Sequence, residues 1–115
     1  MTLQSIAENL GLTLRSKVEN EVEVISGYAS DLLSDVLAKT GRGTLWVTNQ
    51  KHQNVIGVAV MLDLAGVIIA GGTEPDDNTL EKANEEKIPL YTTDMSLYDT
   101  VGKLYDLGIQ AKKQE

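Results

Sequence analysis

The segment Val47-Thr48-Asn49-Gln50-Lys51-His52-Gln53-Asn54 carries the one histidine of the chain. It lies between apolar Leu45-Trp46-Val47 and an apolar run from Val55 to Leu64. An imidazole there could donate to a phosphate, accept from a hydroxyl, or move a proton near neutral pH. No carboxylate stands beside it in sequence to orient it, so the segment reads in one of two ways. It is a ligand-contacting loop, or it is the lead-in to a helix capped by Asn54. A second candidate is Gly71-Gly72-Thr73. Paired glycines let backbone N–H groups approach an anion closely, and Thr73 could add a hydroxyl. Glu74, Asp76 and Asp77 follow and would repel phosphate unless a metal intervened. A tight turn, with Pro75 in the first helical position and acids complementing the helix dipole, accounts for the same residues. Asp31 and Asp35, four apart on a helix, could hold a divalent cation through oxygen ligands or could offset a helix dipole. Tyr28 and Trp46 could stack on a base or pack in a core.

The excluded chemistry is equally informative. The chain contains neither a G-x-x-x-x-G-K-[ST] loop nor a G-x-G-x-x-G fingerprint, and Gly41-Arg42-Gly43 precedes a strand, the wrong order for either. There is no G-x-S-x-G elbow and no H-E-x-x-H pair. Without cysteine there is no disulfide, zinc-thiolate site or thiol nucleophile. The reading is non-catalytic, and no pattern names a cofactor.

The elements that must position these residues follow from periodicity. Leu3, Ile6, Ala7 and Leu10 predict a helix capped by Thr2 and stopped by Gly11, with an extended Leu12-Thr13-Leu14 after it. Alternation over Glu21–Ser26 predicts a half-buried strand. Gly27-Tyr28-Ala29-Ser30 then breaks into a helix with Ser30 as N-cap, Leu32, Leu33, Val36 and Leu37 on one face, and Lys39 and Gly41 at its end. Strand and helix alternate from there. Strands are predicted at 44–48, 66–70 and 88–91, and helices at 54–64, 75–87 and 95–107. Leu80 and Ala83 face inward on the second of these helices, and Leu97, Val101 and Leu104 on the third. The 54–64 segment is apolar all round and suits a strand as well; its length and the surrounding rhythm favour helix. Such alternation implies one α/β domain with an open, mainly parallel sheet and right-handed crossovers.

With 115 residues and a hydrophobic fraction of 42%, the chain can bury one real core without staples. Disorder is expected only in the polar tail 110–115, so the domain is read as 1–109. Seventeen acidic against ten basic residues give a net charge of −7, which opposes nucleic acid and anionic membranes as partners. The start of the chain shows no signal peptide, and the 55–64 run is about half a membrane span. A cytoplasmic location is expected. The apolar excess around 55–70 points to a homodimer or other homo-oligomer, or to a protein partner.

In open parallel sheets, ligands bind where strands end and helices begin. Segments 27–30, 48–54, 71–77 and 92–96 would meet at that rim. The candidate ligand contacts are Ser30, Asp31, Thr48, His52, Asn54, Gly71, Gly72, Thr73 and Thr93. A metal enzyme built from Asp31, Asp35 or Asp76 with His52 has no spacing rule behind it.

Gly27-Tyr28-Ala29-Ser30-Asp31-Leu32-Leu33-Ser34-Asp35-Val36-Leu37-Ala38, with Trp46-Val47-Thr48, His52-Gln53-Asn54 and Ile68-Ile69-Ala70-Gly71-Gly72, resembles the DRTGG-domain family over nearly the whole chain. Ile6-Ala7-Glu8-Asn9-Leu10-Gly11-Leu12 is also similar to the N-terminal domain of HPr kinase/phosphorylase, a fold relative. The resemblance implies an α/β regulatory module without established catalysis, sensing a nucleotide or a small anionic metabolite. Such modules occur alone or joined to CBS pairs, phosphotransacetylases and dethiobiotin-synthetase-like domains. Stand-alone members accompany iron-hydrogenase or redox operons, which implies an accessory assembly role as the alternative. The chain lacks the name-giving Asp-Arg-Thr-Gly-Gly string and keeps only Gly71-Gly72, so the role of that arginine is not carried over.

Overall fold

A computed structural model describes residues 1–112. Its centre is a pair of short parallel strands, β3 (Thr44–Thr48) and β4 (Gly66–Ile69), in which every residue is buried. Side chains alternate across a sheet, so two fully buried strands require cover on both faces. Leu45, Val47 and Ile68 pack on one face with Leu3, Ile6 and Leu104. Trp46, Val67 and Ile69 pack on the other with Val36, Val55, Ile56 and Ala83.

The remaining elements follow from that demand. Helix α1 (Leu3–Leu10) buries Leu3, Ile6 and Ala7; Thr2 Oγ1 accepts from the Ser5 N–H, and Gly11 ends the helix in the left-handed conformation. Strand β1 (Thr13–Leu14) runs antiparallel to β5 (Leu90–Thr92). Strand β2 (Ser26–Ala29) pairs in parallel with β3, giving five strands in the order β1-β5-β4-β3-β2. Helix α2 (Leu33–Lys39), α3 (Asn54–Leu62) and α4 (Asp77–Glu86) carry the buried residues of the Trp46 face, and α5 (Leu97–Asp106) joins α1 on the other. The expected α/β class with a mainly parallel sheet is the observed one. Among the described residues, no helix is long and apolar enough to cross a membrane.

Several boundaries differ from the sequence reading. The alternation at Glu21–Ile25 is real, with Val24 buried and Ile25 exposed, but these residues pair with the N-terminus: Leu3 N–H donates to Val22 O and Val24 N–H to Met1 O. The sheet strand begins at Ser26 instead. Gly27 is inside it because the chain end crosses there: an added Cβ would lie 2.9 Å from Ile109 Cγ2, and Gly27 N–H donates to Gln110 O. Helix α2 therefore starts later, with Leu32 in the cap position. Ser30 Oγ instead bonds within the turn, accepting from the Leu32 N–H at 3.1 Å and donating to the Leu32 carbonyl at 3.5 Å. Leu32 and Leu37 are exposed, leaving Val36 as the buried contact of α2, and Val101 of α5 is exposed too. Segment 54–64 is helical as expected, but Gln53 precedes it in the cap position and Asn54 is its first residue, without a side-chain cap bond. Pro75 lies before the Asp76 cap, not in the first turn of α4. Of the expected polar tail, 110–112 are described and 113–115 lie outside the described residues.

Two glycines separate packing from propensity. An added Cβ at Gly66 would lie 2.7 Å from Leu3 Cδ2 and 3.0 Å from Pro89 O, whereas at Gly57, inside α3, it would meet nothing within 4 Å. Gly66→Ala is expected to destabilise by about 1–3 kcal/mol through overpacking. Gly57→Ala is expected to stabilise by about 0.5–1 kcal/mol, because glycine is the poorer helix former. Urea denaturation of both variants checks the pair; equal effects would contradict the packing described.

Candidate functional site

All four parallel strands end at one rim, and the loops 30–32, 49–53, 70–76 and 93–96 meet there. Its first feature is a polar knot at the end of β3. Thr48 is fully buried and donates its hydroxyl to Asp31 Oδ1 at 2.7 Å; the same oxygen accepts from Asn49 N–H at 2.8 Å. Gln50 Nε2 donates to the Asp31 carbonyl, and Trp46 Nε1 donates to the Ser30 carbonyl at 2.8 Å. Ser30, Asp31 and Thr48 thus fasten one side of the rim. Asp31 and Asp35 do not converge: Asp35 Oδ2 accepts from the Tyr28 hydroxyl at 2.8 Å, which lowers the Asp35 pKa and raises that of Tyr28. Among the described residues, no group of three or more His, Asp or Glu side chains gathers as a metal site.

The second feature is a cluster of basic side chains around one loop. His52 Nδ1 lies 2.9 Å from Asp76 Oδ2, and Lys51 Nζ lies 3.9 Å from Asp76 Oδ1. The backbone holds this arrangement, since Asp76 N–H donates to Lys51 O and buried Thr79 donates its hydroxyl to the same carbonyl. From the opposite direction, just beyond β1, the Arg15 guanidinium grips Glu74 through two nitrogens and reaches Thr92 Oγ1 at 3.5 Å. These hydrogen bonds pull the Glu74 carboxyl below its usual range and raise the Arg15 pKa further. Three cationic or protonatable side chains therefore surround Glu74-Pro75-Asp76.

The glycine turn sits against this loop. Gly71 and Gly72 both adopt positive φ, 77° and 71°, a backbone that favours glycine. Their N–H groups donate to Met95 O and Thr93 O, so they tie the loop after β4 to the loop after β5. Both N–H groups are thus engaged within the protein. Thr93 completes the tie, its N–H donating to Ile69 O and its Oγ1 accepting from Met95 N–H. Thr73 is half-buried beside Glu74, and Asn54 is exposed at the start of α3. The rim brings together His52, Thr73 and the Gly71-Gly72 turn around one loop; Ser30, Asp31 and Thr48 form the separate knot.

Sequence reasoning missed Arg15 and Lys51. Arg15 lies in a polar stretch with no pattern of its own, and its partner is 59 residues away. The only signal was a lone cation directly after the extended Leu12-Thr13-Leu14. Two hollows lie elsewhere. One of about 410 Å³, lined by Lys17, Asn20, Asp63, Asn84, Lys87 and Pro89, opens at the opposite end of the sheet. Another, about 290 Å³ and largely apolar, runs between β2 and α5 beside Ala29, Val101, Tyr105 and Ile109.

Comparison with known proteins gives this geometry a family. The family model described as the DRTGG domain matches residues 6–107. The chain belongs to the DRTGG-domain family. Among solved structures, this DRTGG domain is similar to the CBS and DRTGG domains of the regulatory region of a Clostridium perfringens pyrophosphatase, solved in complex with its activator, diadenosine tetraphosphate. The TM-score is 0.74 at 15% identity, over 90% of this chain and 45% of that one. The likeness is one of fold, and the chain spans under half the length of that structure. No curated protein matches the chain. DRTGG domains are regulatory modules, in keeping with the expected family.

The Arg15–Glu74 contact makes a pH prediction for this DRTGG domain. The folded-state pKa of Glu74 lies below its unfolded value, so the pair stabilises fully above the ordinary carboxylate range. That contribution is lost as pH falls through the lowered folded-state value. Glu74→Gln is therefore expected to lower the melting temperature near neutral pH and to flatten its fall in acid. Melts from about pH 7 down to about pH 3 test this; parallel curves for the two proteins would contradict it.

Proposed function

We propose that the domain is a non-catalytic regulatory module that senses a nucleotide or small anionic metabolite at the C-terminal rim of its sheet. The observation that carries this reading is the placement of Arg15, Lys51 and His52 around Glu74-Pro75-Asp76. In a chain of net charge −7, two fixed cations and a histidine offset the carboxylates of Glu74 and Asp76 around one short loop. Glu74 and Asp76 act as internal counter-ions. A phosphate-bearing ligand offers the same donors a stronger acceptor, because guanidinium binds phosphate oxygens through paired hydrogen bonds. Exchange of carboxylate for phosphate would release the 71–76 loop and, through Gly71 and Gly72, the 93–96 loop tied to it. The diadenosine tetraphosphate in the related regulatory region supports a nucleotide as the ligand class.

A second reading, an interaction module without a small ligand, draws on the exposed apolar residues of α5.

The test is a thermal-shift and calorimetric titration with ATP and with diadenosine tetraphosphate at low and moderate salt. Ligand at about one hundred times its Kd is expected to add roughly 2.7 kcal/mol and to raise the melting temperature by several degrees. Arg15→Ala and His52→Ala are each expected to weaken the shift, and Asn20→Ala, at the opposite end of the sheet, to leave it unchanged. No shift with either nucleotide would overturn the nucleotide reading; a shift insensitive to Arg15 and His52 would move the site elsewhere.

A further inference from the structure

Thr2, Asp76 and Ser96 stand in the cap positions of α1, α4 and α5, and all three are residue types favoured there. Thr2 and Ser96 act as caps, accepting from the Ser5 and Asp99 N–H groups at 3.1 Å. Asp76 makes no side-chain cap bond, although its backbone already has the cap conformation, with φ −61° and ψ 152°. Its carboxylate is engaged elsewhere through both oxygens. Oδ2 lies 2.9 Å from His52 Nδ1, and Oδ1 lies 3.9 Å from Lys51 Nζ. The backbone is fixed while this happens. Asp76 N–H donates to Lys51 O, and the Asp76 carbonyl accepts from the Thr79 and Leu80 N–H groups. Only side-chain torsions therefore separate the carboxylate from the start of α4. The N–H it would take there is that of Asn78, since Thr79 N–H already donates to the Asp76 carbonyl at 2.9 Å.

We propose that Asp76 is a two-position switch that couples occupancy of the rim to the first turn of α4. Without ligand, its carboxylate holds His52 and Lys51 in the place of a phosphate. When a phosphate takes those two side chains, the carboxylate turns about its own torsions and caps α4. The inference rests on the anion site proposed above and names its regulation. The balance of the two positions supports it. Side chains of Lys51, His52 and Asp76 are 51%, 58% and 41% exposed, and ion pairs that open to water stabilise little. An N-cap of ordinary strength contributes a similar amount, so the two positions lie within about a factor of ten of each other. A buried pair would lock the carboxylate in one place. Glu74 provides the contrast. Arg15 grips it through two nitrogens, and it occupies no cap position, so its displaced carboxylate returns to water. Release of Asp76 alone is rewarded elsewhere in the fold. Asp76 also stands at the junction of the 71–76 loop and α4, so one rotation frees the loop and firms the helix.

Amide exchange of Asn78, measured by NMR on the full chain, tests the switch with and without ligand. Lys51→Ala with His52→Ala frees Asp76 in the absence of any nucleotide, and both side chains are more than half exposed, so the core is untouched. Protection of the Asn78 amide is expected to rise about fivefold over the wild type, and adding Asp76→Ala to abolish the gain. Protection that stays level or falls in the double variant overturns the proposal, whatever ATP does. With ATP as the probe, the wild type is expected to show the same rise and Asp76→Ala to show none. Asp76→Ser keeps a capping oxygen but one too short to reach His52. It is expected to bind ATP about threefold more tightly than the wild type, with Asn78 protected before ATP is added. An unchanged or weaker affinity in Asp76→Ser also overturns the switch. A wild type that does not bind ATP ends the nucleotide reading alone, and the ligand-free comparison then decides the switch by itself.

Discussion

Everything in this domain hangs on two short strands that have no side facing water. Thr44–Thr48 and Gly66–Ile69 bury each side chain on one face or the other. Helices on both faces are thus a requirement, and the backbone hydrogen bonds of the strands must be met by further strands in the same plane. The buried hydroxyls mark the limits of this region. Thr44 meets Ser26 Oγ at 3.0 Å at one end, and Thr48 donates to Asp31 at the other. Beyond Thr48 the chain can be polar, and the rim chemistry begins there.

That arrangement explains why so much of the fold was legible. A strand buried on both faces reads as an uninterrupted apolar run, and short turn-rich segments separate one run from the next. Strands β3 and β4, the helical character of 54–62 and the caps of α1 follow from neighbours in sequence alone. The failures share a cause. Gly27 looks like a breaker, but the constraint on it comes from Ile109 and Gln110, 82 and more residues away. Ser30 looks like a cap, yet the Trp46 indole holds its carbonyl and the helix starts three residues later. Val101 has the spacing of a core residue because a helix can carry two stripes, and periodicity does not say which one faces inward.

The candidate site was legible in place but not in its working parts. The rule that ligands meet parallel sheets at the strand ends located the rim and brought His52 and the glycine turn to it. The glycines look like anion donors in sequence; in the structure their N–H groups fasten two loops together. Side chains carry the charge, and the best placed of them, Arg15, arrives from β1, before the first parallel strand. The Asp-Arg-Thr-Gly-Gly string that names the family is missing here, while an arginine reaches the adjoining loop from across the sheet.

Trp46 carries an experimental consequence of its own. It is the sole tryptophan, fully buried, with its indole N–H held by the Ser30 carbonyl at the rim. Emission excited selectively in tryptophan, beyond the absorption of the four tyrosines, thus arises from one dry fluorophore wired to a single loop. Its wavelength reports burial of the core, and its intensity responds to the Ser30 carbonyl. The fold carries a native optical probe whose polar end touches the very edge where loops would rearrange.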